Sequence, residues 1–203
     1  ANTITATGTA SMEVAPDTAY VNFNVLGRAD TAELAANVSA NRVANIKQAL
    51  LEAGVGGEAI ETLNYYVNPV YGEKSKINGY QASHYLKVKI EDISRVGEYI
   101  DKLTASGADS INNVEFGVSD QELLQRQLLG KALEDAKLQA EVVALAAGRE
   151  LGKLNGARIN NNGGYSRNYN SVMLKAAGSS SSTVIETKGI KVNASLEASF
   201  ELK

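Results

Sequence analysis

A chain of 203 residues that is 44% apolar and 21% charged can bury roughly 70% of its unfolded surface, so a core is within reach without disulfides or metal. Its net charge of −3, with Lys and Arg interspersed among acids, leaves no basic stripe to collect phosphates, and nucleic acid is not an expected partner. The absence of cysteine removes disulfides, thiolate nucleophiles and sulfur-bound metal, and no apolar run approaches the roughly 20 residues that a transmembrane helix needs.

The chain opens Ala1-Asn2-Thr3 with no methionine, as a trimmed or a processed secretory chain does; the expectation is an exported protein whose signal peptide has been removed. Two strands come first. Ile4, Ala6, Ala10, Met12 and Val14 alternate, Pro16-Asp17 makes a turn, and Ala19, Val21, Phe23 and Val25 alternate again. Asp30 followed by Glu33 resembles a capping box, and Ala32, Ala36, Ala40, Val43, Ile46 and Leu50 then recur at helical spacing as far as Gly54. Gly54-Val55-Gly56-Gly57 follows this helix and precedes a strand, the reverse of the order that aims amides at a phosphate, so it reads as a helix C-cap and turn.

Residues 60–71 read as a strand with Leu63, Tyr65, Val67 and Tyr71 on one face, joined by a polar turn to a second strand at Ile77–Ile90. On that second strand Tyr80, Ala82, His84, Leu86, Val88 and Ile90 share one face. His84 is the only histidine, and a lone imidazole inside an apolar stripe reads as a packed residue with one hydrogen bond rather than as a base. Asp92 caps a helix carrying Ile93, Val96, Ile100 and Leu103, and Val114, Phe116 and Val118 form a short strand. Ser119 and Glu122 suggest a capping box that opens a long helix to about Gly148, with a small-residue stripe of Ala132, Ala136, Ala140 and Ala147. Residues 154–159 stand open between strand and loop.

Residues 160–182 are rich in Asn, Gly and Ser and read as a long loop. It carries Tyr165, Tyr169, Val172, Met173 and Leu174, more apolar surface than a linker needs. Two readings stand: these side chains fold back onto the body, or they form a partner-contact loop. The closing stretch alternates without a break from Ile190 to Leu202. That length suits a strand that joins two sheets or pairs along another chain.

Chemistry is sparse. There is no nucleophile elbow, no second imidazole and no calcium-binding loop; the carboxylate pairs Glu91/Asp92 and Glu134/Asp135 fall at helix starts or on helix faces. The expected catalytic and metal residues, and the expected cofactors, are therefore none. A candidate ligand cleft between two halves is lined by Tyr65, Tyr71, Tyr80 and Tyr85.

The order of the segments "TGTASMEVAPDTAYVNFNV", "ALLEAGVGGEAIETLNYYVNPVYGEKSKINGYQASHYLKVKI", "GADSINNVEFGVSD" and "TVIETKGIKVNASLEASFELK" resembles the SIMPL-domain family, domain of unknown function 541. The carrying motifs are Pro16-Asp17-Thr18, Asn68-Pro69-Val70-Tyr71 and Gly79-Tyr80. Val184 stands where the family often has proline, and His84 where a small polar residue is common, which weakens any family-level role for that imidazole. The resemblance implies an exported, periplasmic, non-enzymatic protein of the cell envelope, linked to oxidative-stress defence, with no catalytic residues to carry over.

The expected fold is α+β: two-layer halves with mainly antiparallel sheets, one long helix and a long C-terminal strand that stitches them. Residues 1–78 would form a strand-strand-helix-strand half and 79–203 a strand-helix-strand-helix-strand-strand half, together one SIMPL domain. The expected mode of action is homo-oligomeric assembly. The alternatives are a small-ligand binding module and, behind it, a carboxylate-dependent hydrolase.

Overall fold

The computed structural model describes residues 2–160 and 187–203, and their internal contacts divide into two compact units. The larger unit, residues 16–117, contains β2 (Thr18–Ala29), α1 (Ala32–Glu52), β3 (Ile60–Tyr71), β4 (Ile77–Ile90), α2 (Val96–Ser106) and β5 (Ser110–Gly117). The smaller takes β1 (Thr3–Val14) from the start of the chain and α3 (Gln121–Ala146), β6 (Leu151–Ile159) and β7 (Ile190–Leu202) from its end. Both sheets are antiparallel, in the orders β3-β4-β2-β5 and β1-β7-β6. The fold is the expected α+β mixture.

In the larger unit the order β-α-β-β-α-β with β2 and β4 central is a split βαβ arrangement. Alternation dictates its core: Ala19, Val21, Phe23 and Val25 of β2 are fully buried, as are Leu86, Val88 and Ile90 of β4, against Val43, Ile46 and Leu50 of α1. Thr31, rather than Asp30, is the N-cap of α1, its side chain accepting from the Leu34 N–H at 3.2 Å. The helix stops at Gly54, which takes φ 95°, and the Val55 N–H closes back on the Leu50 carbonyl at 2.8 Å, the expected C-cap. Arg42 of α1 ties the layers together, donating to the Leu26 carbonyl at 2.6 Å and the Gly107 carbonyl at 2.9 Å beside Asp109.

In the smaller unit α3 presents the fully buried Ala132, Ala136 and Ala140 to Leu196, Ala198 and Phe200 of β7. Small side chains let the helix come close, and at Gly8 of β1 a Cβ would lie 1.8 Å from the Ala132 carbonyl oxygen. α3 also covers the free edge of β1: Asp135 accepts from the Thr9 N–H at 2.9 Å, and Gln139 donates to the Thr7 carbonyl at 3.0 Å. At Thr7 and Thr9 the outward backbone groups of this edge strand are thereby taken from any added strand.

Several expectations change. β7 does not stitch two sheets; it is the centre of one, pairing with β1 from Thr3↔Glu201 to Val14↔Ile190 and with β6 on its other side. Its length is matched by the twelve residues of β1, a partner drawn from the far end of the chain. β1 and β2, adjacent in sequence across Pro16, lie in different sheets. The expected boundary at residue 78 falls inside the β3–β4 hairpin, and the compact units divide at 15/16 and 117/118 instead. The open segment at 154–159 is strand β6. The expected Ser119 cap gives way to Asp120 at the N-cap of α3, without a side-chain capping bond.

Candidate functional site

The candidate residues of the larger unit sort by strand parity. Tyr65 opposes His84, and Tyr80, Ala82 and His84 alternate on the face of β4 that α1 covers. The His84 Nδ1 is hydrogen-bonded to the fully buried Ser39 hydroxyl of α1, and the Tyr65 ring lies 4.3 Å from the imidazole, centroid to centroid. His84 is half-buried rather than fully buried. Partial burial first, and then the nearby charge of Lys47, hold its pKa below the ordinary histidine value. The imidazole is therefore neutral at pH 7 and half of its hydrogen-bonding capacity goes to a hydroxyl that no substrate can reach.

This shift has a sign that can be checked. Below the ordinary histidine pKa of about 6.5 the unfolded chain takes up a proton that folded His84 resists, so stability is fully present above that pH and declines as pH falls towards the folded pKa. Urea titrations of wild type and His84→Gln across pH 5 to 8 are expected to differ in slope within that window, with the variant flatter.

Parity also separates the four tyrosines. Tyr65 and Tyr80 face α1, whereas Tyr85, next to His84, points to the opposite face. Tyr71, 62% exposed, sits at the hairpin end of β3, beyond a register shift between Pro69 and Tyr71. A second shift, between Thr62 and Asn64, puts Leu63 out of phase with Tyr65. Sequence alternation carries no mark of a bulge, so it placed Leu63, Tyr65, Val67 and Tyr71 on one face. The four tyrosines do not share one face of the sheet.

The opposite face gathers Tyr85 with Tyr66, Tyr20 and Asn22, which the sequence reading left aside. Tyr66 of β3 and Tyr85 of β4 stack, centroids 6.0 Å apart and planes inclined at 28°, with hydroxyls 3.3 Å apart. That hydrogen bond is the main reason the Tyr85 phenol titrates above its ordinary value. On β2, Tyr20 lies under the Lys87 ammonium, 5.1 Å from ring centroid to Nζ. Between them Asn22 has a buried side-chain oxygen with no hydrogen-bond partner.

A cleft of about 460 Å3 opens elsewhere in this unit, between the turn after α1 (Gly54 to Ala59), the end of β4 (Lys89 to Asp92) and Arg95 and Tyr99. Its polar groups are largely engaged. Arg95 grips Glu98 through two bonds of 2.9 and 3.0 Å, which hold that carboxyl below its ordinary pKa, and stacks over Tyr99 at 4.8 Å. Tyr99 donates to the Ala53 carbonyl at 3.3 Å, and Asp92 accepts from both the N–H and the hydroxyl of Ser94. These bonds close the seam between α1 and α2. Of the other carboxylate pair, Glu134 is exposed while Asp135 is spent on Thr9 and Gln139.

In the smaller unit, α3 leaves Leu138, Val142 and Leu145 61%, 62% and 71% exposed, an i, i+4, i+7 stripe opposite the alanines that meet the sheet. The expected partner-contact residues Tyr165, Tyr169, Val172, Met173 and Leu174 lie outside the described residues. Among the described residues, no helix is long and apolar enough to cross a membrane.

Comparison with known proteins adds relatives to this geometry. The protein named "Uncharacterized protein YggE" of Edwardsiella ictaluri is 28% identical over 159 residues, covering 76% of this chain and 66% of its own. The 26 kDa periplasmic immunogenic protein of Brucella melitensis is 24% identical over 159 residues, 74% of this chain and 64% of its own. YggE of Escherichia coli K12 is 26% identical over 158 residues, covering 76% and 64%. The chain thus spans just under two thirds of the length of these relatives. The model of SIMPL, described as a protein of unknown function (DUF541), matches residues 4–200, and with nearly the whole chain inside that match the protein belongs to the SIMPL family.

Proposed function

We propose that this SIMPL protein is exported to the bacterial periplasm, has no enzymatic activity, and works in the cell envelope by assembling with copies of itself, as part of the oxidative-stress defence linked to its family. The periplasmic part rests on the name of the Brucella relative. The observation that carries the assembly reading is the stripe of Leu138, Val142 and Leu145 on the outer face of α3. Three large apolar side chains at helical spacing, each more than half exposed, form a contiguous patch of the kind that marks a protein contact, because covering it removes apolar area from water.

The non-enzymatic part is supported by how the reactive groups are spent. His84 is neutral and bonded to buried Ser39, and Asp92 and Asp135 serve as backbone caps. Reversible thiol oxidation is closed to a chain without cysteine, so the proposed defence role does not run through a cysteine couple.

Sedimentation tests this. The expected result is a particle several times the 21.5 kDa chain, with the pair Leu138→Lys and Leu145→Lys shifting it to monomer while the melting transition is retained. A wild-type chain that stays monomeric at high concentration ends the assembly reading. Deleting residues 163–176 asks separately whether the tyrosine-bearing loop takes part. Peroxide survival of cells lacking the protein, compared with cells carrying the double-lysine variant, tests the link to defence.

A further inference from the structure

We propose that Asn155–Gly156, on the outer strand β6 of the smaller unit, is a site of spontaneous deamidation that gives the chain a slow, one-way gain of negative charge. The Gly156 backbone nitrogen gives up its proton and attacks Cγ of Asn155. The new N–Cγ bond closes a five-membered succinimide, and Nδ2 leaves as ammonia with that proton. Water then opens the ring. Opening at Cγ leaves aspartate, and opening at the backbone carbonyl leaves isoaspartate, whose main chain is longer by one carbon. Only water is consumed and nothing is oxidised or reduced, while a neutral amide becomes a carboxylate on a chain whose net charge is already −3.

The reaction needs a following residue that does not hinder the attack, room for the main chain to turn, and a ladder that opens. All three meet at this position. Gly156 has no Cβ, and one added there would have no atom within 4 Å. Asn155 and Gly156 are both exposed, on a strand at the edge of its sheet. The register passes from Leu154↔Phe200 to Gly156↔Ser199, so Asn155 is the extra residue of a bulge, where the ladder is locally broken. The product is tolerated for a related reason. The residue that β6 packs against the buried cluster of Leu196, Ala198 and Phe200 is Leu151, at the start of the strand, and the lengthened main chain at 155 lies away from it.

Asn78–Gly79 of β4 is an internal comparison. It has the same dipeptide and also lies at a register shift, but Gly79 is half-buried at φ 100°, and a Cβ there would lie 2.9 Å from the Ala29 carbonyl oxygen. The neighbouring strand restrains that backbone, so the fold rather than the dipeptide sets which site reacts. The proposal uses none of the residues of the assembly reading and stands or falls apart from it.

Peptide mapping by mass spectrometry of the folded chain, incubated at pH 6 and at pH 8, tests it. Trypsin separates the sites: residues 154–158 carry Asn155, 77–87 carry Asn78, and 159–167 carry Asn162–Gly163, which lies outside the described residues. The expected result is that fragment 154–158 gains one mass unit relative to a digest of fresh protein and splits into aspartate and isoaspartate forms. The gain should be faster at pH 8, where more of the attacking nitrogen is deprotonated, and several times faster than in 77–87. In urea the two rates should converge. Gly156→Ala should slow the conversion roughly tenfold, because the added Cβ hinders the attack, with the melting transition retained. Three outcomes would overturn the site: no mass gain in 154–158 beyond the fresh digest, a folded-state rate no faster than that of 77–87, or a rate untouched by Gly156→Ala.

Discussion

Replacing Gly8 with alanine is expected to destabilise the protein by about 3 kcal/mol, among the largest effects available from adding a single methyl group. The added carbon would sit 1.8 Å from the Ala132 carbonyl oxygen and 2.7 Å from the Ala136 nitrogen, both backbone atoms of α3. Relief therefore requires the helix to move off the sheet, which opens the contacts of Ala132, Ala136 and Ala140 with β7 as well. Gly27 repeats the device in the larger unit, where a Cβ would lie 2.4 Å from the Ala35 oxygen and the Ser39 nitrogen of α1. Gly130 is the internal control: it lies within α3 with no atom within 4 Å of a would-be Cβ, so Gly130→Ala should raise stability by roughly 0.5–1 kcal/mol through helix propensity. Urea denaturation of the three variants checks the signs, and a neutral Gly8→Ala would show that α3 does not sit this close to β1.

The second large effect is expected from Phe200→Ala, at about 3–5 kcal/mol. Phe200 is 3% exposed on the central strand, against Ala136 and Ala140 of the helix. The buried α3 residues of its cluster are Ala132, Ala136 and Ala140, which have no rotamers with which to fill the void, and the helix already touches backbone at Gly8. The cavity therefore stays open and the cost lies at the high end of the range. The denaturation midpoint should fall with the slope unchanged. If Phe200→Ala costs under 1 kcal/mol, this strand end is frayed rather than packed. Because β7 is a central strand, shortening it should unfold this unit, so truncation there is no test of assembly.

His84 shows how far local pattern reaches. Its parity with Leu86 and Val88 places it on the apolar face of a strand, and the structure puts it there with a single hydrogen bond. What the pattern does not carry is the partner: Ser39, which with Thr18 and Ser83 is one of three buried Ser/Thr residues among the described residues, lies 45 positions away on a helix, and nothing in either segment names the other. The candidate tyrosines fail for a related reason. Counting alternate residues along β3 assumes an unbroken ladder, and two register shifts break it, so Leu63 and Tyr71 leave the phase of Tyr65, while Tyr85 is parted from Tyr65 by the plain alternation of β4. Asn22 was invisible because an unmet acceptor is a property of its surroundings rather than of the residue.

The sequence by itself determined the kinds and order of the elements apart from β6, the apolar side of β1, β2, β4 and β7, the alanine stripe of α3, the α+β class and the family, because side-chain period and chain chemistry are local quantities. Only the tertiary structure decided that β7 lies between β1 and β6 and that the compact units divide at Pro16 and Gly117, because which strand lies beside which is settled by contacts between residues far apart in the chain. The same holds for the exposed stripe on α3: its leucines look like core residues until one sees that the alanines already occupy the sheet, leaving that face to the solvent or to a partner.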